Sequence, residues 1–138
     1  MSVFGAVSSR DMPCPCGEGE AYGECCGRLH SGAASASTAR DLMRSRYAAF
    51  AVGDADYLLR TWHPQTRPSQ LHLDPQHLWV GLEVLSSVEG GPDDTEGEVT
   101  YRAISRSPDG GETAFTEDAR FARRGRRWVY VDGDVTGG

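Results

Sequence analysis

Lysine is missing from this chain, and cysteine is missing from all but a fourteen-residue window. All 14 basic residues are arginines, so chemistry through a lysine Schiff base is excluded. Acidic residues outnumber them at 20, leaving a net charge of −6. General binding to a phosphate backbone is therefore not expected, because that affinity accumulates from many cationic contacts. No apolar run approaches the roughly 18 residues of a membrane span. The opening MSVFGAVSSRDMP lacks the charged start and sustained apolar stretch of a secretory signal. No internal repeat is evident. These absences predict a cytoplasmic protein without membrane contact.

What is present starts with a chain of 138 residues, the length of one domain. At that size folding buries roughly two-thirds of the unfolded surface, so the body needs no covalent staple. Residues 14–27 nevertheless read CPCGEGEAYGECCG and hold Cys14, Cys16, Cys25 and Cys26. A disulfide staple, a redox centre and a metal site are the alternatives. Cytosolic thiols are normally kept reduced, and neighbours such as Cys25 and Cys26 bridge each other poorly. A redox role wants cations that lower thiol pKa values, and no arginine cluster surrounds the window. Four thiolates instead match the closed tetrahedral shell of structural zinc. Gly17, Gly19 and Gly23 lie between the pairs and suit a tight knuckle, and Pro15 stiffens the first pair. The Cys-x-Cys and Cys-Cys spacing differs from the usual zinc-finger CxxC pairs.

The same stretch resembles the SEC-C motif, a short zinc knuckle whose pattern is Cys-Pro-Cys-Gly-x-Gly, a Tyr, then Cys-Cys or Cys-His. The resemblance implies structural Zn2+ on Cys14, Cys16, Cys25 and Cys26. Glu18 and Glu20 stand where the motif usually carries Ser and Lys, and Glu24 adds a third acid. Contacts that a basic knuckle makes with acidic surfaces or nucleic acid are thus not carried over. The knuckle either docks a protein partner or clips the N-terminus in order. His30, four residues past Cys26, is expected at the surface or in the outer shell of the metal.

Beyond the knuckle, SGAASAS at 31–37 reads as a linker. Thr38 with Asp41 predicts a helix start, and Gly53 its end. Between them Met43, Tyr47 and Phe50 share a face, with Leu42 and Ala49 beside it. Asp54 or Asp56 predicts the cap of a second helix carrying Tyr57, Leu58, Leu59 and Trp62, closed by His63-Pro64. Asp74-Pro75 suggests another brief helix leading into Trp79. The period then changes to alternation. Val80, Leu82, Val84 and Val88 are expected on one strand face, and Val99, Tyr101 and Ala103 on the next. Asp109-Gly110 is a tight-turn signal. Phe115, Glu117, Ala119 and Phe121 follow, then Trp128, Tyr130 and Asp132. Helices followed by a four-strand meander predict an α+β fold, with helices packed on an antiparallel sheet.

The segment TARDLMRSRYAAFAVGDADYLLRTWHPQTRP, residues 38–68, and the final RRWVYVDGDV resemble the YchJ-like family, small bacterial proteins of unassigned biochemical role. The resemblance implies a fold like that of nuclear transport factor 2, a curved sheet wrapped around helices with a cone-shaped cavity. It implies a flexible stretch over 1–13, the knuckle over 14–30 and the cone-like domain over 38–138. Longer family members carry a second knuckle at the C-terminus, which is not seen before Gly138. Members often show a His-Glu pair in the third strand where this chain has Thr116-Glu117, so proton chemistry that relies on that histidine is not expected.

Such folds host isomerases, dehydratases and hydrolases, yet fold does not imply function. Cavity candidates are Tyr47, Trp62, His63, Arg67, Tyr101 and Glu117, with Asp118 beside them. His63 suits a general base near neutral pH, and Arg67 a bidentate hold on a carboxylate or phosphate. Glu117 is expected to face inward, where Arg46 is a possible partner. Arg120, Arg123, Arg124, Arg126 and Arg127 crowd around Gly125, either a patch for RNA or an acidic partner, or a solvated turn that protects a strand edge. The leading expectation is a zinc-binding protein with a binding or adaptor role, its knuckle meeting protein partners and its cavity a small-molecule ligand. The alternative is a small-molecule enzyme acting in the cavity.

Overall fold

A computed structural model describes residues 9–137 of the chain. Of the stretch expected to be flexible, residues 1–8 lie outside the described ones. Ser9–Asp11 forms a 3-10 turn, and Pro13 bridges Ala21. Three α-helices follow among the described residues: α1 (Cys26–His30), α2 (Ala39–Val52) and α3 (Ala55–Arg60). Four strands complete the body, β1 (Leu78–Glu89), β2 (Glu96–Arg106), β3 (Glu112–Arg124) and β4 (Arg127–Gly137). They pair as an antiparallel meander in the order β1-β2-β3-β4, and the curled sheet wraps around α2.

The helix ends follow their capping chemistry. Thr38 Oγ1 accepts the Asp41 N–H at 3.0 Å, satisfying one of the orphan donors of the first turn. Gly53 closes α2 at φ 81, a left-handed angle that costs glycine little. Asp54, rather than Asp56, caps α3 by accepting from Tyr57 N–H at 3.0 Å. Asp74-Pro75 starts no helix. Asp74 instead closes a single turn, accepting from the N–H groups of Gln76 and His77, and β1 begins at Leu78.

Strand faces are set by bulges, and here the alternation read from sequence fails twice. In β1, Trp79 pairs with Ser105, Leu82 with Ala103, Val84 with Tyr101 and Ser87 with Val99. Three residues of β1 thus answer two of β2 on both sides of the Leu82–Val84 pair, the signature of a bulge. Each extra residue reverses the side-chain parity. Trp79, Leu82 and Val84 therefore turn inward, while Val80 and Val88 face solvent. In β4 the register shifts between Arg120 and Phe121, so Phe121 meets Tyr130 and Arg120 meets Asp132. Trp128 and Tyr130 stay inward, but Asp132 turns outward to Arg120 Nε at 2.6 Å. Gly133 takes the inward position behind it.

The core lies between α2, α3 and the concave face, built from Leu42, Leu58, Val99, Phe121 and Trp128. The 31–37 segment is no free linker. Ala34 and Ala36 pack on this core, and the Ser37 carbonyl accepts from Trp128 Nε1 at 3.2 Å. Among the arginines near Gly125, Arg123 donates to the carbonyls of Asp94 and Pro92 at 2.9 and 2.6 Å, and its guanidinium lies 4.4 Å from the Trp128 ring centre. That arginine ties the β1–β2 loop down.

The β1–β2 turn also sets the height of α2 above the sheet, because Gly90 O accepts the Ala39 N–H at 2.9 Å. A Cβ on Gly97 would stand 2.5 Å from Gly90 Cα and 3.1 Å from Ala39 Cβ. Backbone, not a flexible side chain, occupies that space. Gly97→Ala is expected to destabilise the protein by about 1–3 kcal/mol, an overpacking cost. Chemical denaturation should show a lower midpoint, whereas Gly111→Ala, against only the Asp109 and Ser107 side chains, should shift it far less.

Candidate functional site

Two places bring chemistry-bearing groups together, and α2 separates them. On one side lies the cysteine knuckle. Cys14 N–H donates to the Glu20 carbonyl at 2.8 Å and Gly17 N–H to Cys14 O at 3.1 Å, folding the first pair back on itself. Gly17 and Gly19 take φ of 83 and 95, and Gly23 lies against the Arg10 side chain. The four cysteines are free, with Cys14, Cys16 and Cys26 buried and Cys25 half-buried. All four sulfur atoms fall within 4.8 Å of one another. A tetrahedral thiolate site with metal–sulfur bonds of about 2.3 Å needs sulfurs roughly 3.8 Å apart, so the cluster could hold a metal ion without rebuilding.

Its electrostatics favour the thiolate of Cys16 and resist those of Cys25 and Cys26. The thiols of Cys14 and then Cys26 hydrogen-bond to Cys16 and hold it far below its ordinary pKa. Burial, followed by the Cys16 sulfur, pushes Cys25 up to about 12. The hydrogen bonds that the Cys26 thiol makes to Cys14 and Cys16 lead the causes that push it upward, ahead of burial. A dication bound by Cys14, Cys16, Cys25 and Cys26 would offset this penalty by stabilising their thiolates together.

The knuckle is seated on α2. Ala48 is fully buried against Cys14, Cys16 and Cys26, and Arg44 donates from Nη2 to Cys16 O at 2.9 Å while pairing with Glu18 at 2.9 Å. His30 is the bolt between them. It is buried, contrary to the expectation of a surface histidine, because α1 presses it between Tyr22 and α2. The Ser45 carbonyl can only accept, so His30 Nε2 carries the proton and donates at 2.8 Å. Nδ1 then accepts from the Tyr22 hydroxyl at 2.5 Å. Ser45 Oγ gives its proton to Leu42 O at 2.7 Å and takes one from Tyr57 at 2.7 Å.

On the other side of α2 is a cavity of about 320 Å3. Met43, Tyr47 and Phe50 supply its helical wall, as their shared face implies, and Trp79, Phe115 and Phe121 its sheet wall. Glu117 stands inside it, 7% exposed. It accepts from the Tyr101 hydroxyl on one oxygen and from the Tyr130 hydroxyl at 2.6 Å on the other. Burial, then the Glu117 charge, raises the Tyr101 pKa; burial, then the hydrogen bond to Glu117, raises that of Tyr130. The inward glycine of β4 makes this possible, since a Cβ on Gly133 would come within 2.7 Å of the Glu117 carboxyl carbon.

Arg46 completes the cavity wall and does not ion-pair with Glu117. Its Nη1 donates to Leu58 O and Thr61 Oγ1, each at 2.7 Å. Its guanidinium carbon lies 4.9 and 4.7 Å from the ring centres of Trp62 and Tyr130. Burial lowers its pKa to about 10, which leaves it cationic at neutral pH.

The structure thus places Tyr47, Trp62, Tyr101 and Glu117 on the cavity wall and leaves His63 and Arg67 off it. After α3 the chain runs beside β4, with His63 N–H on Tyr130 O and Tyr130 N–H on Thr61 O, both at 2.8 Å. Extended backbone alternates its side chains. With Trp62 turned inward, His63 faces away and only accepts the Gln65 N–H at 3.1 Å. Arg67 is exposed beyond the turn. Asp118 sits on the outer face, accepting from Thr100 Oγ1 at 2.6 Å.

Residues 38–133 match the family description "YchJ, middle NTF2-like domain". The chain belongs to the YchJ family. A UPF0225 protein of Streptomyces coelicolor is 55% identical to it over 122 residues, covering 88% of this chain and 94% of the relative. One from Deinococcus radiodurans is 44% identical, covering 87% of each. Among solved structures, a SEC-C motif containing protein from Rhodopseudomonas palustris superposes with a TM-score of 0.76 at 34% identity, covering 89% of this chain and 98% of its own. Another, from Psychrobacter arcticus, shares the fold with a TM-score of 0.71 at 24% identity, covering 94% of this YchJ-family chain and 86% of its own. No described helix is long and apolar enough to cross a membrane.

Two outcomes test the knuckle. Cys26→Ser should abolish the metal measured by elemental analysis of the purified protein, and hydrogen exchange should rise across α1 and the Ser45–Ala49 turn of α2. A pH series reads the His30 bolt. Burial holds its imidazole below the ordinary value, against opposing pulls from the Ser45 carbonyl and Asp54. The unfolded chain takes up a proton near 6.5 that the folded chain resists. This contribution is intact above that pH and is lost as pH falls through the lower folded value. The acid-side loss of stability should be shallower in His30→Gln than in wild type.

Proposed function

We propose that this chain is a zinc-knuckle protein whose α+β body receives a small molecule in the cavity, with the knuckle bracing α2 from behind. Zinc is the metal that a compact four-thiolate shell favours, and such a closed shell has no position left for substrate. The observation that carries the ligand-binding reading is a cavity of about 320 Å3 with Arg46 and Glu117 converging on it. That volume lies at the lower end of the roughly 300–1,000 Å3 of small-molecule pockets, which pair apolar walls with a few placed polar groups. Catalysis would be a further use of the same space. Among the described residues Glu117 is the one carboxylate on its wall and would be the group that takes a proton.

A docking role for the knuckle remains a second reading, favoured by the Gly17–Glu20 loop, which is exposed throughout. A protein partner meeting it would face Glu18 and Glu20 and would be complementary in charge.

Native mass spectrometry of freshly purified protein, with a thermal-shift screen of small molecules, tests the cavity. Binding molecules should raise the melting midpoint of wild type; saturation at a hundred times Kd adds about 2.7 kcal/mol. Ala103→Leu, which projects into the cavity from β2, should abolish those shifts with its metal content unchanged. Equal shifts in both proteins, or no bound molecule by either method, would overturn the reading. Loss of a captured partner in Glu18→Lys/Glu20→Lys, with Ala103→Leu still binding it, would instead support the docking role.

A further inference from the structure

Resting on the ligand-binding reading, we propose that the occupant is a small carboxylic acid on a flat apolar frame, carrying an N–H or O–H group of its own. The inference comes from which hydrogen-bonding capacity the cavity leaves unused. Arg46 is 6% exposed, and all of its hydrogen bonds leave from Nη1. A guanidinium offers five N–H groups in a planar fork. The donors of Nε and Nη2 meet no protein acceptor among the described residues, and no carboxylate lies within ion-pair distance of them. A buried cation without its counter-charge is costly. The group that relieves it best is a planar anion able to take two parallel hydrogen bonds, which describes a carboxylate. Trp62 and Tyr130 pack against the guanidinium and fix its orientation, so little freedom is lost when the acid arrives.

Glu117 supplies the second half of the specification. A carboxylate has about four acceptor sites, and the two tyrosine hydroxyls fill one on each oxygen. What remains is acceptor capacity. An acid held by Arg46 would meet a second negative charge there, unless it presents a proton donor to Glu117. The rest of the wall is apolar and rich in rings, with Phe50, Trp79, Phe115 and Phe121 among small and aliphatic side chains, and favours a flat frame. Other classes fit less well. Phosphate esters want more than one cation, and among the described residues Arg46 is the only cationic side chain on the wall. Amines and quaternary ammonium groups would face Arg46 itself. A purely apolar guest would leave both charges buried and unanswered.

The test is calorimetric titration of the full-length, metal-loaded protein with matched probes: 4-hydroxyphenylacetate, phenylacetate, 4-hydroxyphenylacetamide and tyramine, with indole-3-acetate as a larger acid. The acids should bind roughly ten- to a hundredfold more tightly than the amide, the worth of a charge-assisted hydrogen bond. Tyramine should bind weakest. Arg46→Gln should erase the preference of acid over amide, and Arg46→Lys should retain part of it. Glu117→Gln should bring 4-hydroxyphenylacetate and phenylacetate close to equal. If Arg46→Gln does not fold, the probe ranking on wild type decides alone. An amide or amine that matches or beats the acid, with Ala103→Leu still abolishing binding, would overturn the ligand class and leave the cavity reading standing. Binding that Ala103→Leu does not affect would remove the cavity reading itself, and no saturable binding by any acid would overturn the class.

Discussion

The rest of the structure depends on α2 being buried on two opposite faces by partners of different chemistry. Toward the knuckle it offers Arg44, Ser45 and Ala48; toward the sheet, Met43, Arg46, Tyr47 and Phe50. The small side chains are what allow close approach on both sides. Ser45, Ala48 and Ala49 are wholly buried, so neither the knuckle nor the core can be repacked without moving the same helix. The fourteen-residue helix is held between the two, and this makes the knuckle an integral layer of the fold.

Burying polar groups on both faces has an energetic logic. Those near the knuckle are largely matched: the imidazole of His30 by a carbonyl and a hydroxyl, the Arg44 guanidinium by an ion pair with Glu18 and a hydrogen bond to Cys16 O, with only its Nε short of an aligned hydrogen bond. Buried groups left unmatched cost of order 1–3 kcal/mol, and the knuckle side contains little of that cost. The cavity side is different. Its carboxylate is half-satisfied and its guanidinium uses one nitrogen of three. A fold that meets most of its polar demands on one face of a helix and leaves them open on the other has concentrated its free binding capacity there.

Much of this was legible in the sequence. The fourteen-residue cysteine window, the Thr38 and Asp54 caps and the alternation of Val99–Ala103 and Phe115–Phe121 are local signals, and local signals survive folding. The failures in the strand faces share one cause, which is that a bulge inserts a residue without altering composition. Nothing in LWVGLEVLSSV says that Trp79 shares a face with Leu82 and Val84 while Val80 and Val88 turn to solvent. The same device in β4 moved Asp132 out and Gly133 in, and that exchange opened the space Glu117 fills. His63 was misplaced through parity as well, since one backbone bridge beside Tyr130 decides which of Trp62 and His63 looks inward. Arg46 was legible as a neighbour of Glu117 but not as a separate wall group. Its partner, the Leu58 carbonyl, belongs to backbone that no pattern of side chains reveals. His30 escaped for a similar reason, because a lone histidine carries no sign of the carbonyl waiting fifteen residues away.

The two bulges of β1 have a consequence beyond facing. This strand is an outer edge of the sheet and exposes Leu78, Val80, Leu85 and Val88, a composition that would ordinarily invite another strand to add on. A partner strand needs an uninterrupted ladder of N–H and C=O groups at constant spacing. The extra residues near Trp79 and Val84 break that ladder twice within twelve residues and add local twist. The opposite edge is engaged in part by the chain after α3, through the single parallel bridge between Trp62 and Tyr130. The irregularities that shape the cavity from within thus also protect the sheet from growing outward into aggregates.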